Sequence, residues 1–234
     1  MRRLVEPELL DGLPATNPQA AGSRADLRRL NFIMGHAGIL WRAIRPHSIA
    51  KPVLNRSLRV VELGAGDGSL ALELARRWSA QGVKGELRLI DRQNLLSAET
   101  IRAFSRLHWS VRVMESDVFT WLDATAVSVD VMFANLFLHH FEADRLGTLL
   151  RLVASRTSLF VACEPRRAML ALTASRLLGL IGCNAVTRHD AVVSVRAGFA
   201  SDELSRLWPD AANWRLSDRP AGLFSQCFVA QRHG

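Results

Sequence analysis

The fold is decided by the stretch Val60-Val61-Glu62-Leu63-Gly64-Ala65-Gly66-Asp67-Gly68. A continuous apolar strand over 58–63 runs directly into three glycines, and an amphipathic helix over 69–80 follows. Glycines in such a loop let the backbone approach a ligand closely, and the start of the helix favours a polar or anionic group. The spacing is G-x-G-x-G, which differs from the dinucleotide fingerprint G-x-G-x-x-G because position 69 is serine. We therefore expect a ligand at the end of this strand.

Outward from this stretch, strands alternate with helices. Further strands are predicted at 86–91, 111–115, 129–135 and 159–163, and helices at 94–107, 118–123 and 142–154. This alternation predicts a parallel sheet with both faces covered. Two more strands, 214–217 and 223–230, joined by a turn at 219–222, predict a terminal antiparallel hairpin. The fold class is α/β: a doubly wound, mostly parallel, seven-stranded Rossmann-like sheet with helical lid elements.

The chain divides into three regions of one domain. Residues 1–57 are predicted to form an arm and a helical cap, 58–163 the binding core, and 164–234 a lid insertion and the hairpin. Within the first region, residues 1–23 lack periodicity and predict a mobile arm. A single helix is predicted over 24–45, ended by Pro46 and Pro52. The apolar run 169–181 predicts a helix that is either core or a lid over an apolar ligand.

The charge pattern is weak evidence for nucleic-acid binding. The 234 residues carry 30 basic and 22 acidic side chains, a net charge of +8, and 28 of the basic residues are arginine. Residues 1–59 hold 10 basic and 4 acidic side chains, 60–163 hold 11 and 12, and 164–234 hold 9 and 6. The excess is scattered through the flanks, without a basic run. We therefore interpret it as an arginine-biased composition and expect no nucleic-acid partner.

Cysteine usage and hydropathy bear on the compartment. The three cysteines, Cys163, Cys183 and Cys227, lie far apart without C-x-x-C spacing, so we expect free thiols, no zinc or other metal site, and a reducing compartment. The longest apolar stretch, 168–183, is interrupted by Arg176 and is too short to span a bilayer. The start of the chain lacks an apolar signal region. A cytoplasmic location is expected.

Acids stand at the ends of three predicted strands. Glu62 precedes the first glycine, and Asp91 ends the second strand, where an acid accepts both hydroxyls of a ribose. Asp117 follows the third strand, where an adenine amino group would be recognised. The glycines and the three acids together predict a nucleoside-containing ligand.

This arrangement resembles the class I S-adenosylmethionine (SAM)-dependent methyltransferases over about residues 58–163. The whole chain is also similar in appearance to bacterial methyltransferases of polyketide and phenolic-lipid pathways. The resemblance implies SAM as cofactor and S-adenosylhomocysteine as product. It implies the following cofactor-binding residues: Glu62, Gly64, Ala65, Gly66, Asp91, Arg92, Asp117, Val118, Asn135 and Leu136.

The fourth strand leads into a histidine pair. The sequence Asn135-Leu136-Phe137-Leu138-His139-His140-Phe141 is similar to the form found in enzymes that methylate small molecules. Nucleic-acid amino methyltransferases instead carry D-P-P-Y or N-P-P-Y, which is absent. His139 or His140 is a candidate base for an acceptor hydroxyl, with His140 favoured. The alternative is that one of them caps the next helix or contacts the cofactor.

Further candidates lie outside this motif. Glu164 is expected to orient a histidine or a substrate hydroxyl, or else to pair with Arg166 or Arg167 on the surface. His189, beside Asp190, is a candidate base, although adjacent side chains rarely hydrogen-bond in a useful geometry. The residues expected to contact the acceptor or the cofactor from the flanks are Asn31, Met34, His36, Arg188 and Arg196.

We thus expect a SAM-dependent methyltransferase for a small, rather apolar molecule. A phenolic or polyketide hydroxyl in bacterial secondary metabolism is the first choice, and carbon or nitrogen acceptors stay open. One alternative is an RNA methyltransferase that uses the basic flanks. Another is a non-catalytic partner subunit with the same fold. The assembly is left open, with a homodimer as one alternative.

Overall fold

A computed structural model describes residues 1–48, 57–125 and 127–233. Its strands are β1 Leu58–Leu63, β2 Gly85–Asp91, β3 Trp109–Glu115, β4 Val131–Asn135, β5 Leu159–Pro165, β6 Trp214–Ala221 and β7 Ser225–Arg232. Its helices are α1 Pro18–Ile33, α2 His36–Ser48, α3 Ser69–Ser79, α4 Ala98–Arg106, α5 Val118–Ala124, α6 Ala143–Arg156, α7 Met169–Arg176, α8 Ala185–Ala197 and α9 Glu203–Leu207. Single 3-10 turns lie at Leu10–Gly12, Leu138–His140, Leu178–Ile181 and Ala211–Asn213.

All seven strands form one sheet in the order β3-β2-β1-β4-β5-β7-β6. Strands β1 to β5 pair in parallel, whereas β7 is antiparallel to both β5 and β6. The predicted fold class is therefore confirmed. The chain order of the strands reverses between β1 and β4, and in open α/β sheets ligands bind at the carboxyl ends of the strands beside such a reversal. This topology directs attention to the loops after β1, β2, β4 and β5.

Both faces of the sheet are covered by apolar layers, as consecutive residues of β1 show. Val60 belongs to the layer that packs under α2, α3 and α4, and Val61 to the layer under α5 and α6. Such alternation follows from the period of two in a strand. In the first layer, the Trp78 ring stacks on Trp109 at 5.2 Å between ring centroids, and its indole N–H donates to Ser48. These contacts fix α2 and α3 against the sheet.

The prediction of a single N-terminal helix over 24–45 is wrong, because the structure has two helices there. Asn17 caps α1, Pro18 occupies its first turn, and Gly35, with φ of +68°, separates α1 from α2. Glycine adopts this left-handed backbone without the steric cost that other residues meet. Pro46 lies inside the last turn of α2, where a missing N–H removes only one hydrogen bond near the helix end. Pro52 lies outside the described residues.

The predicted mobile arm at 1–23 is also wrong, because residues 3–12 pack along the domain and α1 begins at Pro18. We call residues 3–12 the N-terminal strap. The Leu4 amide donates to the Arg196 carbonyl, and the Arg3 guanidinium donates to the carbonyls of Ala197 and Phe141 at 2.7 and 2.8 Å. Partners so distant in sequence leave no local periodicity, which is why the sequence pattern does not indicate them.

The region after β5 differs from the prediction in two ways, at α8 and at the hairpin turn. The predicted apolar run over 169–181 forms α7 and a 3-10 turn, with Met169, Leu170 and Leu180 exposed and Ala171 and Leu172 buried. Helix α8 follows where only an insertion was predicted. The hairpin turn comes later than predicted, because β6 continues to Ala221 and Gly222 adopts a φ of +72°. Among the described residues, none of the helices has the length and apolar character needed to cross a membrane.

Candidate functional site

The glycine loop between β1 and α3 has a backbone that only glycine adopts easily. Gly64, Gly66 and Gly68 all have φ between +53° and +70°. A Cβ on Gly64 would lie 2.3 Å from the Phe137 ring, whereas a Cβ on Gly66 would meet no described atom within 4 Å. The loop is therefore tightly packed at its first glycine and open at its second. The opening lies at the carboxyl end of the sheet, where a ligand is expected.

Asp91 holds this loop from the end of β2. Its Oδ2 accepts from the Gly66 amide at 2.8 Å, and its Oδ1 accepts from the Gln93 amide at 3.0 Å. A carboxylate has about four lone-pair sites in total, so both oxygens keep accepting capacity for hydroxyl donors. The predicted ribose acceptor is thus fixed beside the open position of the loop. Ala65 is buried next to it.

Two buried polar atoms at adjacent strand ends have no hydrogen-bond partner among the described residues. They are Oε2 of Glu62 on β1 and Oδ1 of Asn135 on β4. Burial, together with the charges of Asp67 and Asp91, raises the pKa of Glu62 well above its usual range. An unpaired buried acceptor is costly unless a donor satisfies it. A cationic amino group of a ligand is the chemistry that these two oxygens fit, which agrees with the amino acid part of SAM.

The residues expected at the adenine lie at the outer edge of the same region. The Asp117 side chain caps α5 by accepting from the amides of Phe119 and Thr120, and Val118 beside it is buried. Arg92 is mainly exposed and lies 3.7 Å from a carboxylate oxygen of Asp11 in the strap. In the structure, Asp117 caps α5 through Oδ1, and its second oxygen, Oδ2, can accept from a ligand.

The connection after β4 is a strained turn that a buried carboxylate holds. Leu136 has a φ of +51°, which is unfavourable for a branched side chain, and its amide donates to the Cys163 carbonyl. The Phe137 and Leu138 amides both donate to Oε1 of Glu164, at 3.0 and 2.9 Å. A strained backbone persists only where the surrounding contacts hold it in place. Such residues are more frequent at functional sites than elsewhere. Glu164 is fully buried, so it is not the surface ion-pair residue of the alternative interpretation.

His139 lies in this turn between two carboxylates. Its Nδ1 is 2.8 Å from Glu164 and its Nε2 is 3.2 Å from Glu8 of the strap. Burial alone lowers the pKa of His139, but the two hydrogen-bonded carboxylates outweigh burial and raise it to about 9. Burial alone raises the pKa of Glu8, but its hydrogen bond to His139 and the charge of His139 lower it to about 2. His139 is therefore an imidazolium at neutral pH, and an imidazolium cannot accept a proton.

His140 has the opposite electrostatic environment. Burial and the positive charge of His139 lower its pKa, although Glu8, Asp11 and Glu164 act in the other direction. Its Nδ1 lies 3.4 Å from Oδ2 of Asp11, and its side chain stays 22% exposed. A neutral, partly accessible imidazole is the form that a general base needs. The geometry therefore favours His140 over His139, as the sequence did.

A cation could approach three of these groups. One ligand atom each from Glu8, His139 and His140 lies within 4.8 Å of the others. However, both ring nitrogens of His139 already face carboxylates at hydrogen-bond distance. We assign the cluster to ion pairing among its own members, because their charges already compensate one another without a metal ion.

Asn31 on α1 and His36 on α2 contact residues at the end of the sheet. His36 is fully buried, and its Nε2 lies 3.0 Å from the Ser225 hydroxyl. Burial lowers the pKa of His36 to about 4, so the ring is neutral. The Asn31 side chain lies 3.5 Å from that of Asn135, and Met34 ends α1. The structure thus brings Asn31 to a predicted cofactor residue and buries His36 beneath it.

His189 lies on the other side of the strap. Its Nδ1 is 2.9 Å from Oδ1 of Asp190, so these adjacent side chains do hydrogen-bond. Asp190 also accepts from the amides of Leu9 and Leu10. A cleft of about 640 Å³ here is lined by Glu6, Pro7, Leu9, His189, Val192, Val193 and Arg196. Arg188 is exposed and packs beside Gly179. Among the contacts of the described residues, neither His189 nor Arg188 hydrogen-bonds to His139 or His140.

Sequence reasoning missed Glu8, Asp11 and Arg3. All three come from the segment interpreted as mobile, and each contacts the turn 138–141 across more than a hundred residues of sequence. In the sequence, Glu8 and Asp11 are only a pair of acids three residues apart in a segment that otherwise reads as a linker. Such a pair does not identify partners more than a hundred residues away, so the sequence pattern gives no usable signal for these contacts.

Comparison with known proteins agrees with this geometry. A family model described as a methyltransferase domain matches residues 60–158. The structure of the plantazolicin methyltransferase BamL, solved with a triazolic desmethylPZN analog and SAH, is 14% identical with a TM-score of 0.63, covering 93% of this chain and 92% of that one. The mitomycin 7-O-methyltransferase MmcR is 17% identical with a TM-score of 0.60, covering 96% and 60%.

A third similar structure is the magnesium protoporphyrin IX methyltransferase from Synechocystis PCC 6803 with bound SAH. It is 14% identical with a TM-score of 0.53, and the match covers 96% of this chain and 91% of that one. At such identities the likeness shows a shared fold. A search of curated proteins gives no match.

Proposed function

We propose that the chain is a SAM-dependent methyltransferase that methylates a hydroxyl oxygen of a small, rather apolar molecule, which the match of residues 60–158 to a methyltransferase domain supports. The observation that carries this proposal is the pairing of two features at one end of the sheet. One is the open glycine loop held by Asp91, and the other is the neutral His140 in the turn after β4. A phenolic or polyketide hydroxyl is the acceptor that we propose, in a bacterial biosynthetic setting.

The cofactor side rests on residues with unused polar capacity. SAM supplies an electrophilic methyl group on a sulfonium. Glu62 and Asn135 offer unpaired buried oxygens to its amino group, and Asp91 offers carboxylate oxygens to its ribose hydroxyls. Asp117 and Val118 stand where the adenine would be recognised. The two similar structures solved with bound SAH support this choice of cofactor.

The acceptor side rests on His140. His140 would take the proton of the acceptor hydroxyl on its other ring nitrogen, Nε2, so that the methylated product would be uncharged. The S–C bond of the methyl donor would break in the same transfer, with S-adenosylhomocysteine as the leaving group. Proton removal by a positioned imidazole accelerates such reactions by about 100- to 10,000-fold. Glu164 and His139 then act by holding the turn. His189 and Arg188 remain candidates for contacts with a longer acceptor, through the region around the cleft.

Several surroundings favour an apolar acceptor. Phe32 and Ile33 at the end of α1 are exposed beside Asn31, and α7 exposes Met169 and Leu170. Exposed apolar side chains of this kind favour apolar partners. The cysteines are buried and free, which fits a cytoplasmic protein.

The proposal is tested by incubating the purified protein with SAM and a panel of phenols and polyketide hydroxyls, followed by mass spectrometry. We expect product gaining one CH2 unit, and no product from His140→Gln with unchanged SAH binding. Labelled methyl appearing in RNA instead, with salt-dependent retention, would establish the alternative acceptor. Intact SAH binding without transfer to any acceptor would favour a non-catalytic subunit.

A further inference from the structure

We propose that the N-terminal strap completes the acceptor site, with Asp11 as the positioning residue that orients His140 for its role as base. This inference rests on the proposed function. It concerns a segment that neither the glycine motif nor the matched domain includes, since that domain begins at residue 60. It also assigns the two acids, Glu8 and Asp11, that the cofactor side leaves unused.

The strap is fixed at both ends, so Asp11 has a defined place. At one end, Arg3 donates to the carbonyls of Ala197, His139 and Phe141, and Leu4 donates to Arg196. At the other end, the Leu9 and Leu10 amides donate to the two oxygens of Asp190, at 2.8 and 2.9 Å. A 3-10 turn then begins at Leu10 and carries Asp11. Charge-assisted bonds of this kind are about twice as strong as neutral ones.

Glu8 holds the middle of the strap to the histidine turn. Its Oε1 lies 3.2 Å from His139, and the Ser194 hydroxyl donates to the same oxygen. The side chains of His139 and Glu8 are only 3% and 11% exposed, so water screens this ion pair little. Glu8 therefore fixes the distance between the strap and the turn, which brings Asp11 to the neighbouring histidine.

Asp11 then meets His140 at Nδ1, with 3.4 Å between that nitrogen and Oδ2. A carboxylate at Nδ1 favours the tautomer that carries its proton there, which leaves Nε2 with the lone pair needed by a base. Asp11 also lies 3.7 Å from Arg92, the residue after the loop-holding Asp91. The strap thus contacts the cofactor side and the acceptor side through one carboxylate.

The charges that face His140 determine in which direction its pKa, and with it the pH profile of the rate, shifts when Asp11 is changed. They are His139 on its own turn, Glu8 and Asp11 on the strap, and Glu164 on β5, with Arg92 beyond Asp11. Of these, Asp11 can be removed without breaking the buried ion pairs of His139. Loss of its negative charge makes protonated His140 less stable, so the acidic limb of the rate profile moves to lower pH. The maximal rate above this limb also falls, because His140 is no longer held in the tautomer with its proton on Nδ1.

The test compares Asp11→Asn with Asp123→Asn, the same change at an exposed position on α5. Asp123 belongs neither to the strap, nor to the histidine turn, nor to the lining of the cleft. We expect Asp11→Asn to lower kcat by roughly 10- to 100-fold, with unchanged SAH affinity and an acidic limb at lower pH. Asp11→Glu should recover part of the loss, and Asp123→Asn should behave as the wild type.

A second measurement needs no acceptor. Long-range ¹H–¹⁵N NMR reports the tautomer of His140, which we expect to be protonated at Nδ1 in the wild type and mixed in Asp11→Asn. Wild-type kinetics and an unchanged tautomer in Asp11→Asn would overturn the inference while leaving the methyltransferase intact. A wild type that transfers no methyl group contradicts the proposed function instead. Activity lost to a chelator and restored by a divalent metal would replace positioning by metal binding.

Discussion

The cofactor side and the acceptor side of this molecule are built in different ways. The glycine loop, Asp91 and the cap of α5 lie within residues 64–120 and are held by side chain-to-backbone hydrogen bonds between residues at most 25 positions apart. The histidine turn depends on Glu8, which stands 131 residues from His139 in sequence, and on Asp190 and Arg3 beyond it. The cofactor side can be recognised from patterns of neighbouring residues in the sequence. The acceptor side forms only when distant parts of the chain come together on folding.

The largest expected effect comes from Gly64→Ala, which attacks the local side. The new Cβ would lie 2.3 Å from Phe137 on a left-handed backbone, so we expect unfolding to become easier by about 2 to 4 kcal/mol. SAH binding should be lost, because Phe137 and the loop must move apart. Thermal unfolding and calorimetric titration measure the two effects.

Gly82→Ala is the matched control for this change. Gly82 also has a positive φ, +75°, but a Cβ there meets nothing within 4 Å. We expect a stability loss of about 1 kcal/mol and unchanged SAH affinity. Equal binding losses in both variants would contradict the assignment of the loop.

Asp91→Ala tests whether one carboxylate organises the local side. It removes the acceptor of the Gly66 amide together with the expected ribose contacts, and we expect SAH affinity to fall about 100-fold. Glu86→Ala on the same strand, at an exposed position, is the control. Isothermal titration of both variants decides the matter, and full affinity in Asp91→Ala would remove Asp91 from the site.

The ion pair of Glu8 and His139 gives the long-range side a pH dependence. The pKa of His139 is raised from 6.5 to about 9, so its stabilisation is complete below pH 6.5 and is lost as pH rises through 9. The pKa of Glu8 is lowered from 4.5 to about 2, so its contribution is present above pH 4.5 and is lost as pH falls towards 2. The pair therefore stabilises the strap most between pH 4.5 and 6.5.

We expect Glu8→Gln to reduce the free energy of unfolding by about 1 to 3 kcal/mol near pH 6 and by less near pH 9. Denaturant titrations at both pH values measure the difference. Hydrogen exchange should show the Leu9 and Leu10 amides losing protection while the β1 amides keep theirs. A uniform loss across the sheet would mean that the two sides are not separable.

The smallest effect is expected at the scattered arginines. Arg206 forms an exposed ion pair with Asp202 in a single helical turn, and Arg206→Ala should change stability by less than about 0.5 kcal/mol. Chemical denaturation measures this change. A loss above that level would give the arginine excess a structural role that the composition does not suggest.

The sequence predicts the sheet because each of its strands carries its own signal. An apolar run into glycines, acids at strand ends and helices between strands are all local patterns. The position of the strap could not be predicted, because Arg3 and Glu8 are held by partners on α8 and on the histidine turn, which lie far away in sequence. The split between α1 and α2 and the later hairpin turn depend on Gly35 and Gly222, whose left-handed backbones a sequence permits but does not require.

The tryptophan stack under α3 determines what an optical experiment can see. The chain has six tryptophans and no tyrosine, so its ultraviolet emission comes from indole alone. Trp78 and Trp109 lie 5.2 Å apart in the apolar layer, and Trp41 meets Trp78 edge-on. The strap contains no tryptophan. Intrinsic fluorescence will therefore follow the melting of the sheet and will be blind to the opening of the strap, unless a reporter such as Leu9→Trp is introduced.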